Sequence, residues 1–277
     1  MNGFGRDQLR RLLDEQIGLL EHDAIRSCAN RQGLRERSGS LLEGAFLDLA
    51  ARLAPTLSVE IGAHEASFSE RLKAKLPDLH ALAFEANPFV YRRHAGRLGQ
   101  HPNAIDYRHA AICGEDGTVQ LHIPATQNGI PISPDNAISS IFRRLSAGFK
   151  YDPVVVPAFA LDTVLKSFGL DRSVAWIDAE GAQSEILAGG CGYFGRVAAV
   201  YIEVERTQAW RDQKLDSEVA ESLVGFSLTP IMRDSLAKIQ YNEVYIRPDD
   251  AIVDAAVPTV LRYVDELRML IGASAAS

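Results

Sequence analysis

Four acids in this sequence stand at the ends of short apolar runs: Glu60 in Leu57–Ile61, Glu85 after His80–Phe84, Asp178 after Val174–Ile177, and Glu203 after Val197–Ile202. If those runs are parallel strands, ligands bind just beyond their carboxyl ends, and acids placed there recognise hydroxyls and positive charge. Gly62 follows the first run directly; lacking a Cβ, it lets the backbone turn sharply and approach a ligand closely. Glu85 lies twenty-three residues after Gly62, an offset that places an acid to accept hydrogen bonds from both hydroxyls of a ribose. The loop after the first run has His64 and Ala66 where a dinucleotide fingerprint has further glycines, so a pyrophosphate cradle is not indicated. Glu60 would repel a pyrophosphate and suits an ammonium group. A ribose and a zwitterionic amino acid without phosphates describe S-adenosylmethionine better than NAD.

The stretch Trp176-Ile177-Asp178-Ala179-Glu180-Gly181-Ala182 is the second constellation. Residues i and i+2 of an extended chain face the same side, so Asp178 and Glu180 can share one crevice. A carboxylate there can take a proton from a reacting hydroxyl, while Glu180 also reads as a first-turn acid favoured by the helix dipole. His64 reads either as a base, being near neutrality in pKa, or as a structural residue. The seven histidines form no HExxH or other tight cluster in sequence, and Cys28, Cys113 and Cys191 form no CxxC, so zinc is not expected. Asp178, Glu180 and Glu203 would suit a hard cation such as Mg2+, but the reading assigns no metal site.

These residues need a scaffold that gathers strand ends. From Thr56 onward the runs Leu57–Ile61, His80–Phe84, Ile105–His109, Val174–Ile177 and Val197–Ile202 alternate with helical segments Glu65–Leu76, Pro88–Leu98, Leu161–Phe168 and Ala182–Leu187. Such alternation implies parallel strands joined by right-handed crossovers, a doubly wound α/β sheet. Phe226–Ile231 and Glu243–Ile246 are too close for a crossover helix and read as an antiparallel pair at a sheet edge. Thr118–Ile123 and Val154–Phe159 also read as strands, flanking an insertion at 124–153 rich in Pro, Gly, Ser and Asn. Insertions of that length inside a compact domain are functional or mobile, which makes this one a candidate lid. Residues 1 to about 52 read as helical, with a polar, arginine-rich loop or broken helix at Ser27–Ser40; Pro258–Ile271 reads as an amphipathic helix and Ala273–Ser277 as a frayed end.

The combination of Val59-Glu60-Ile61-Gly62-Ala63-His64, Ala83-Phe84-Glu85-Ala86-Asn87-Pro88, Leu161-Asp162-Thr163-Val164-Leu165 and Trp176–Ala182 resembles the FkbM-type S-adenosylmethionine-dependent methyltransferases. The resemblance runs from about Thr56 to Glu205 and extends to Arg247; none precedes Thr56. It implies a class I methyltransferase-like (Rossmann-like) seven-stranded sheet with its last strand antiparallel. It further implies that Gly62 and Ala63 shape the cofactor loop with Glu60 near the amino-acid end, that Glu85 and the adjoining Ala86 hold the ribose, and that Ala110 and Ala111 line the adenine. Asp178 and Glu180 would border the methyl-transfer site, and Ser139, Ser140 and Glu203 would meet the acceptor, a small-molecule hydroxyl such as a sugar's. This chain departs from the family's usual pattern at Glu60 (Asp), Ala66 (a second glycine) and Gln183 (Glu). Arg143, Arg144 and Lys150 of the insertion could face an anionic acceptor or simply be solvated.

The 277 residues set a prior of about two domains or one large one. The motifs divide the chain into a helical N-terminal extension at 1–55, a methyltransferase domain at 56–250 and a C-terminal helix with its tail at 251–277. A net charge of −7 opposes non-specific nucleic-acid binding. Met1–Gln16 is too charged for a secretory h-region, and no apolar run approaches the roughly eighteen residues of a membrane span. The expectation is a cytoplasmic enzyme with no nucleic-acid or membrane partner, pairing as a homodimer through the N-terminal helices if at all. Two rival readings are a non-catalytic binding protein, supported by Glu60 and Ala66, and a nicotinamide-dependent oxidoreductase, which lacks the three-glycine loop and a Tyr-x-x-x-Lys pair.

Overall fold

The computed structural model describes residues 3–26, 31–100, 104–170, 172–235 and 239–274. Two long helices come first, α1 (Gly3–Arg26) and α2 (Arg31–Leu53). They lead into β1 (Leu57–Ile61), α3 (Ser67–Lys75), β2 (His80–Glu85), α4 (Pro88–Gly99) and β3 (Asp106–His109). Four strands follow without a helix, β4 (Ala111–Cys113), β5 (Gly117–Gln127), β6 (Ile130–Pro131) and β7 (Phe149–Ala160). The alternation resumes with α5 (Leu161–Val164), β8 (Ser173–Ile177), α6 (Gln183–Gly189), α7 (Cys191–Phe194) and β9 (Ala199–Glu205). The chain closes with α8 (Asp216–Gly225), β10 (Thr229–Arg233), β11 (Gln240–Ile246) and α9 (Asp250–Ser274).

The main sheet has seven strands in the order β10-β11-β9-β8-β1-β2-β3. β3, β2, β1, β8 and β9 run parallel, and β11 is antiparallel to both its neighbours. The expected doubly wound, seven-stranded sheet is therefore present, with the edge pair seen as β10 and β11. The chain winds outward from β1 through β2 to β3 and then from β8 to β9 on the other side. β1 and β8 thus meet at the topological switch point, where such sheets open a crevice.

Both faces of the sheet are covered, which is why the central strands read as nearly unbroken apolar runs. On one face α2, α3 and α9 bring Leu42, Phe46, Leu49, Leu72, Val260 and Leu267 against Val174, Ala199, Tyr201 and Val244. Trp176 and Tyr201 stack there at 3.7 Å between ring centroids. On the other face Ile186, Leu187, Tyr193, Phe194 and Leu223 cover Val59, Ile61, Ala175, Val200 and Ile202. Among the described residues no helix is long and apolar enough to cross a membrane.

The structure moves several expected boundaries. The arginine-rich stretch expected as a loop is helical from Arg31 through Ser40, while 27–30 lie outside the described residues. Its inward positions include Leu34, Ser38 and Leu42, all buried, and the polar members of that face hid the helical stripe from an apolar-periodicity reading. The C-terminal helix begins at Asp250, so Pro258 lies inside it rather than at its start; Val253 and Ala256 continue the buried stripe toward the N-terminus. The helix expected at Leu161–Phe168 is confined to Leu161–Val164. Ala273 and Ser274, expected as frayed, belong to α9, and 275–277 lie outside the described residues.

The insertion is shorter than the composition implied, because β5 and β7 pair in antiparallel register through both bounding prolines. Pro124 sits at a register shift, and Pro153 lies on a stretch of β7 that β4 does not reach, so neither ring removes a needed ladder bond. β4, β7, β5 and β6 form a second, four-stranded sheet. What remains of the excursion folds back along β5, where Ser140 and His122 exchange backbone hydrogen bonds at 2.7 and 3.3 Å.

Candidate active site

A cavity of about 330 Å³ opens at the carboxyl ends of β1, β2, β8 and β9 and is roofed by residues of the returning insertion. That volume is within the range of small-molecule sites. The backbone fixes its floor. Ile61 accepts from the Asp178 N–H at 3.0 Å, and the N–H groups of Gly62 and Ala63 both donate to the Phe84 carbonyl, at 3.1 and 2.9 Å. Gly62 has φ +73°, and a Cβ on it would fall 1.8 Å from the Asp178 carbonyl oxygen, so only glycine fits between the β1 and β8 turns.

At one end of the cavity stands Glu85, the last residue of β2. Its Oε2 accepts from the His64 N–H at 2.8 Å and its Oε1 from the Asn87 N–H at 2.7 Å. Burial raises its pKa, and these backbone donors oppose the rise. Each oxygen keeps a further lone pair for a ligand hydroxyl. Beside it Phe84, Ala110, Ala111, Ile112 and Leu121 make an apolar slot. Asn87 accepts from the Phe89 N–H at the start of α4 and donates to Pro134 O and Ser139 Oγ, tying the roof to this wall.

Acids crowd the other end. Asp178 is open to the cavity, and no described residue hydrogen-bonds or ion-pairs with its carboxylate. Protein packed around it raises its pKa, chiefly by burial and then by the neighbouring Glu180 and Glu205. Glu180 is pushed up to about 7 by burial and by Glu203, with Arg144 pulling the other way from 3.6 Å. Glu203 is raised by burial and by Asp178; Arg35 at 3.2 Å and Gln240 at 2.6 Å oppose this, both on its Oε2. Glu205, behind it, is pushed up to about 8 by burial, then by Glu203 and Glu180. Gln183 donates to the Glu203 carbonyl at 2.9 Å and to Glu205 at 3.2 Å, which ties α6 to β9.

The roof is fastened at this end. Ser140 is buried and its Oγ donates to the Glu180 carbonyl at 2.5 Å. Arg144 lies over the ring of the buried Trp210 at 4.5 Å, and Leu145 N–H donates to Ala209 O at 2.9 Å. Trp210 in turn occupies the space a Cβ on Gly181 would need, 2.6 Å from its Cδ1. Arg144 is therefore spent on Glu180 and Trp210 rather than presented to an anion.

Residues 60–242 match the model of the methyltransferase FkbM domain, and every residue lining the cavity falls inside that span. The chain belongs to this methyltransferase family. The 2-O-methyltransferase NoeI of Sinorhizobium fredii (strain NBRC 101917 / NGR234) is 23% identical over 231 residues, 80% of this chain and 92% of that protein. The crystal structure of a methyltransferase FkbM from Methylobacillus flagellatus superposes with a TM-score of 0.46 at 9% identity, covering 70% of this chain. It covers 44% of that chain, so the present one spans less than half its length. A SAM dependent methyltransferase from Aquifex aeolicus gives a TM-score of 0.39 at 10% identity, over 82% of this chain and 97% of the other.

Of the residues singled out in this family member's sequence, Gly62, Glu85, Ala86, Ala110, Ala111, Ser139, Ser140, Asp178, Glu180 and Glu203 all line the cavity. Glu60 and Ala63 do not. Val59 and Ile61 point to the α6 face, so strand alternation sends Glu60 to the α3 face. There its carboxylate accepts from the Ser69 N–H at 2.8 Å and the Phe68 N–H at 3.4 Å, and burial pushes its pKa up to about 7. Its carboxylate thus caps the first turn of α3. Asp162 of the Leu-Asp-Thr segment is likewise structural, accepting from the Gly192 and Tyr193 N–H groups at 2.7 and 2.8 Å at the start of α7.

Sequence reasoning missed Asn87, Asn136 and Gln240 as lining residues and Arg35 as a partner of Glu203. Asn87 had a signal, an N-cap residue directly before a proline; the others had none. Folding also brings His64, Glu65 and His94 together, with ligand-type atoms within 4.8 Å of one another, a grouping that sequence spacing does not show.

Proposed function

We propose that this methyltransferase takes its methyl group from S-adenosylmethionine and delivers it to a hydroxyl of a small molecule, a sugar or a similar secondary metabolite. The observation that carries the cofactor assignment is the charge of the lining: Glu85, Asp178, Glu180 and Glu203 face the cavity, and among the described residues no lysine or arginine does. Such a wall attracts a ligand bearing a sulfonium and an ammonium and repels a pyrophosphate, which disfavours a nicotinamide dinucleotide. S-adenosylmethionine, when bound, supplies an activated methyl group. In this reading Glu85 holds the ribose hydroxyls, the slot of Ala110, Ala111, Ile112 and Leu121 takes the adenine, and Asn87 and Ala86 close the wall.

Methyl transfer is an in-line displacement, so the protein chiefly aligns the partners and removes a proton. Asp178, open to the cavity and without a partner among the described residues, is the general base for the acceptor hydroxyl. Glu180 lies beside it and holds part of the negative charge against Arg144. Glu203 and the roof serines Ser139 and Ser140 bound the acceptor's space. The hydroxyl acceptor is supported by the printed activity of the relative NoeI, a 2-O-methyltransferase.

The test is transfer of labelled methyl from S-adenosylmethionine to a panel of methyl glycosides and their 2-deoxy counterparts, with S-adenosylhomocysteine binding measured by calorimetry. Label in a glycoside, lost in its 2-deoxy form and unaffected by EDTA, is the expected result. Failure of S-adenosylhomocysteine to bind at millimolar concentration, or the absence of label from every glycoside of the panel, would overturn it.

A further inference from the structure

We propose that Arg35 is a positioning residue of the acceptor end: from α2, outside the family-matched span, it clamps Glu203 and Gln240 in the cavity wall. This deepens the O-methyltransferase reading and rests on it. Three contacts make the clamp. Arg35 Nη2 lies 3.2 Å from Glu203 Oε2, its Nη1 donates to the Gln240 carbonyl, and its Nε lies 3.5 Å from Asp234 Oδ2. One guanidinium thereby joins β9, the start of β11 and the turn after β10.

The result is a directed carboxylate. Arg35 and the Gln240 side chain both donate to Glu203 Oε2, and no described residue bonds its Oε1. That oxygen is left for a ligand, on a side chain that cannot swing away. The clamp is itself held. Asp234 is fully buried and accepts from the Asn242 N–H and Nδ2, each at 2.7 Å. Ser38, one turn along α2, accepts from the Ser235 N–H at 3.1 Å, and Leu34 is buried beside Arg35. The register of α2 against the sheet is thus set by the same turn that carries Arg35.

Charge gives the clamp a second effect. Asp178 and Glu180 after β8, Glu205 on β9, Asp234 after β10 and Glu43 on α2 all bear on the Glu203–Asp178 pair as negative charges. Arg35 is the cation that lowers both members of that pair, whereas Arg144 acts on Glu180. Without Arg35 both carboxyls hold their protons to higher pH.

The experiment compares Arg35→Met and Arg35→Lys with the wild-type chain, using the methyl glycoside turned over fastest in the panel. Arg35→Met should raise the acceptor KM about tenfold and move the acid limb of kcat/KM upward by about one pH unit, with the S-adenosylhomocysteine Kd within about twofold. Arg35→Lys should return the limb and only part of the KM. A residue that merely braces the fold would lower kcat/KM equally at every pH, and that result, or an unmoved KM, overturns the inference. If Arg35→Met does not fold, Asp234→Asn removes a negative neighbour of Glu203 and should move the limb downward; an unmoved limb counts against the proposal. NMR titration of the Glu203 carboxyl needs no acceptor: a higher midpoint in Arg35→Met or a lower one in Asp234→Asn supports the clamp even if no glycoside is methylated, an outcome that would sink the hydroxyl-acceptor reading alone. Midpoints unchanged from wild type sink the clamp.

Discussion

Glu85 and Asp178 end the two strands that flank β1, and both face one cavity, yet they are held in opposite ways. Glu85 has two backbone N–H donors, Asn87 just after it and His64 from the loop after β1, and its carboxylate is a ready acceptor. Asp178 has no described partner, and burial, then Glu180 and Glu205, disfavour its charged form. A carboxylate satisfied by the backbone suits binding, since nothing about it must change when a hydroxyl arrives. A carboxylate kept short of partners suits proton transfer, because its protonation state lies close to the balance point near neutral pH.

Substitutions can break this contrast. Asp178→Asn should lower kcat by about 10²–10⁴-fold while leaving S-adenosylhomocysteine affinity nearly intact; steady-state kinetics with calorimetry checks it, and retained turnover removes Asp178 from its assigned role. Glu85→Gln should do the reverse, raising the S-adenosylhomocysteine Kd by about ten- to a hundredfold with kcat at saturating cofactor changed by only a few-fold.

The pH profile sharpens the same comparison. A base must be ionised to accept a proton, and burial, then the negative charge of Glu180, push Asp178 itself up to about 7. The kcat/KM of wild type should therefore climb through about pH 7, and Glu85→Gln should keep that limb. The smallest effect is on stability. For Glu180 the folded pKa lies above the unfolded value, so the folded chain binds more protons between about 4.5 and 7 and loses stability as pH rises through that window. Glu180→Gln should accordingly gain on wild type at pH 8, by on the order of 1–2 kcal/mol after the lost attraction of Arg144. The gain should vanish near pH 4. Thermal unfolding of the two proteins at both pH values measures it.

Much of the scaffold was legible because its signals are local. The strands of the main sheet, the edge pair β10–β11 and the glycine at the first turn follow from apolar runs and their punctuation. Helix α2 was half hidden because its inward face carries Arg35, which meets Glu203 and Asp234, and Ser38, which accepts from the Ser235 N–H, in place of apolar residues. Both strands flanking the insertion were legible, but their continuation past Pro124 and Pro153 was hidden because a proline at a bulge or a free edge leaves the ladder intact, which depends on what lies alongside. In the site, the acids that truly follow a strand, Glu85 and Asp178, reached the cavity as expected. Glu60 did not, since it lies within β1 and strand alternation turned it to α3.

The sequence by itself determined the strand-end acids, the single glycine that a left-handed turn requires, and the segments that place the chain in the FkbM methyltransferase family. These are matters of residue type and short spacing, and they survive without coordinates. Only the tertiary structure decided which acids share a cavity, which one caps a helix, that the insertion closes as a roof on Glu180, and that a cation from α2 faces Glu203 across 168 positions of sequence. The physical reason is that charge acts through space at a few ångströms. A carboxylate's partners and its protonation are therefore properties of the fold around it, not of the residues beside it in the chain.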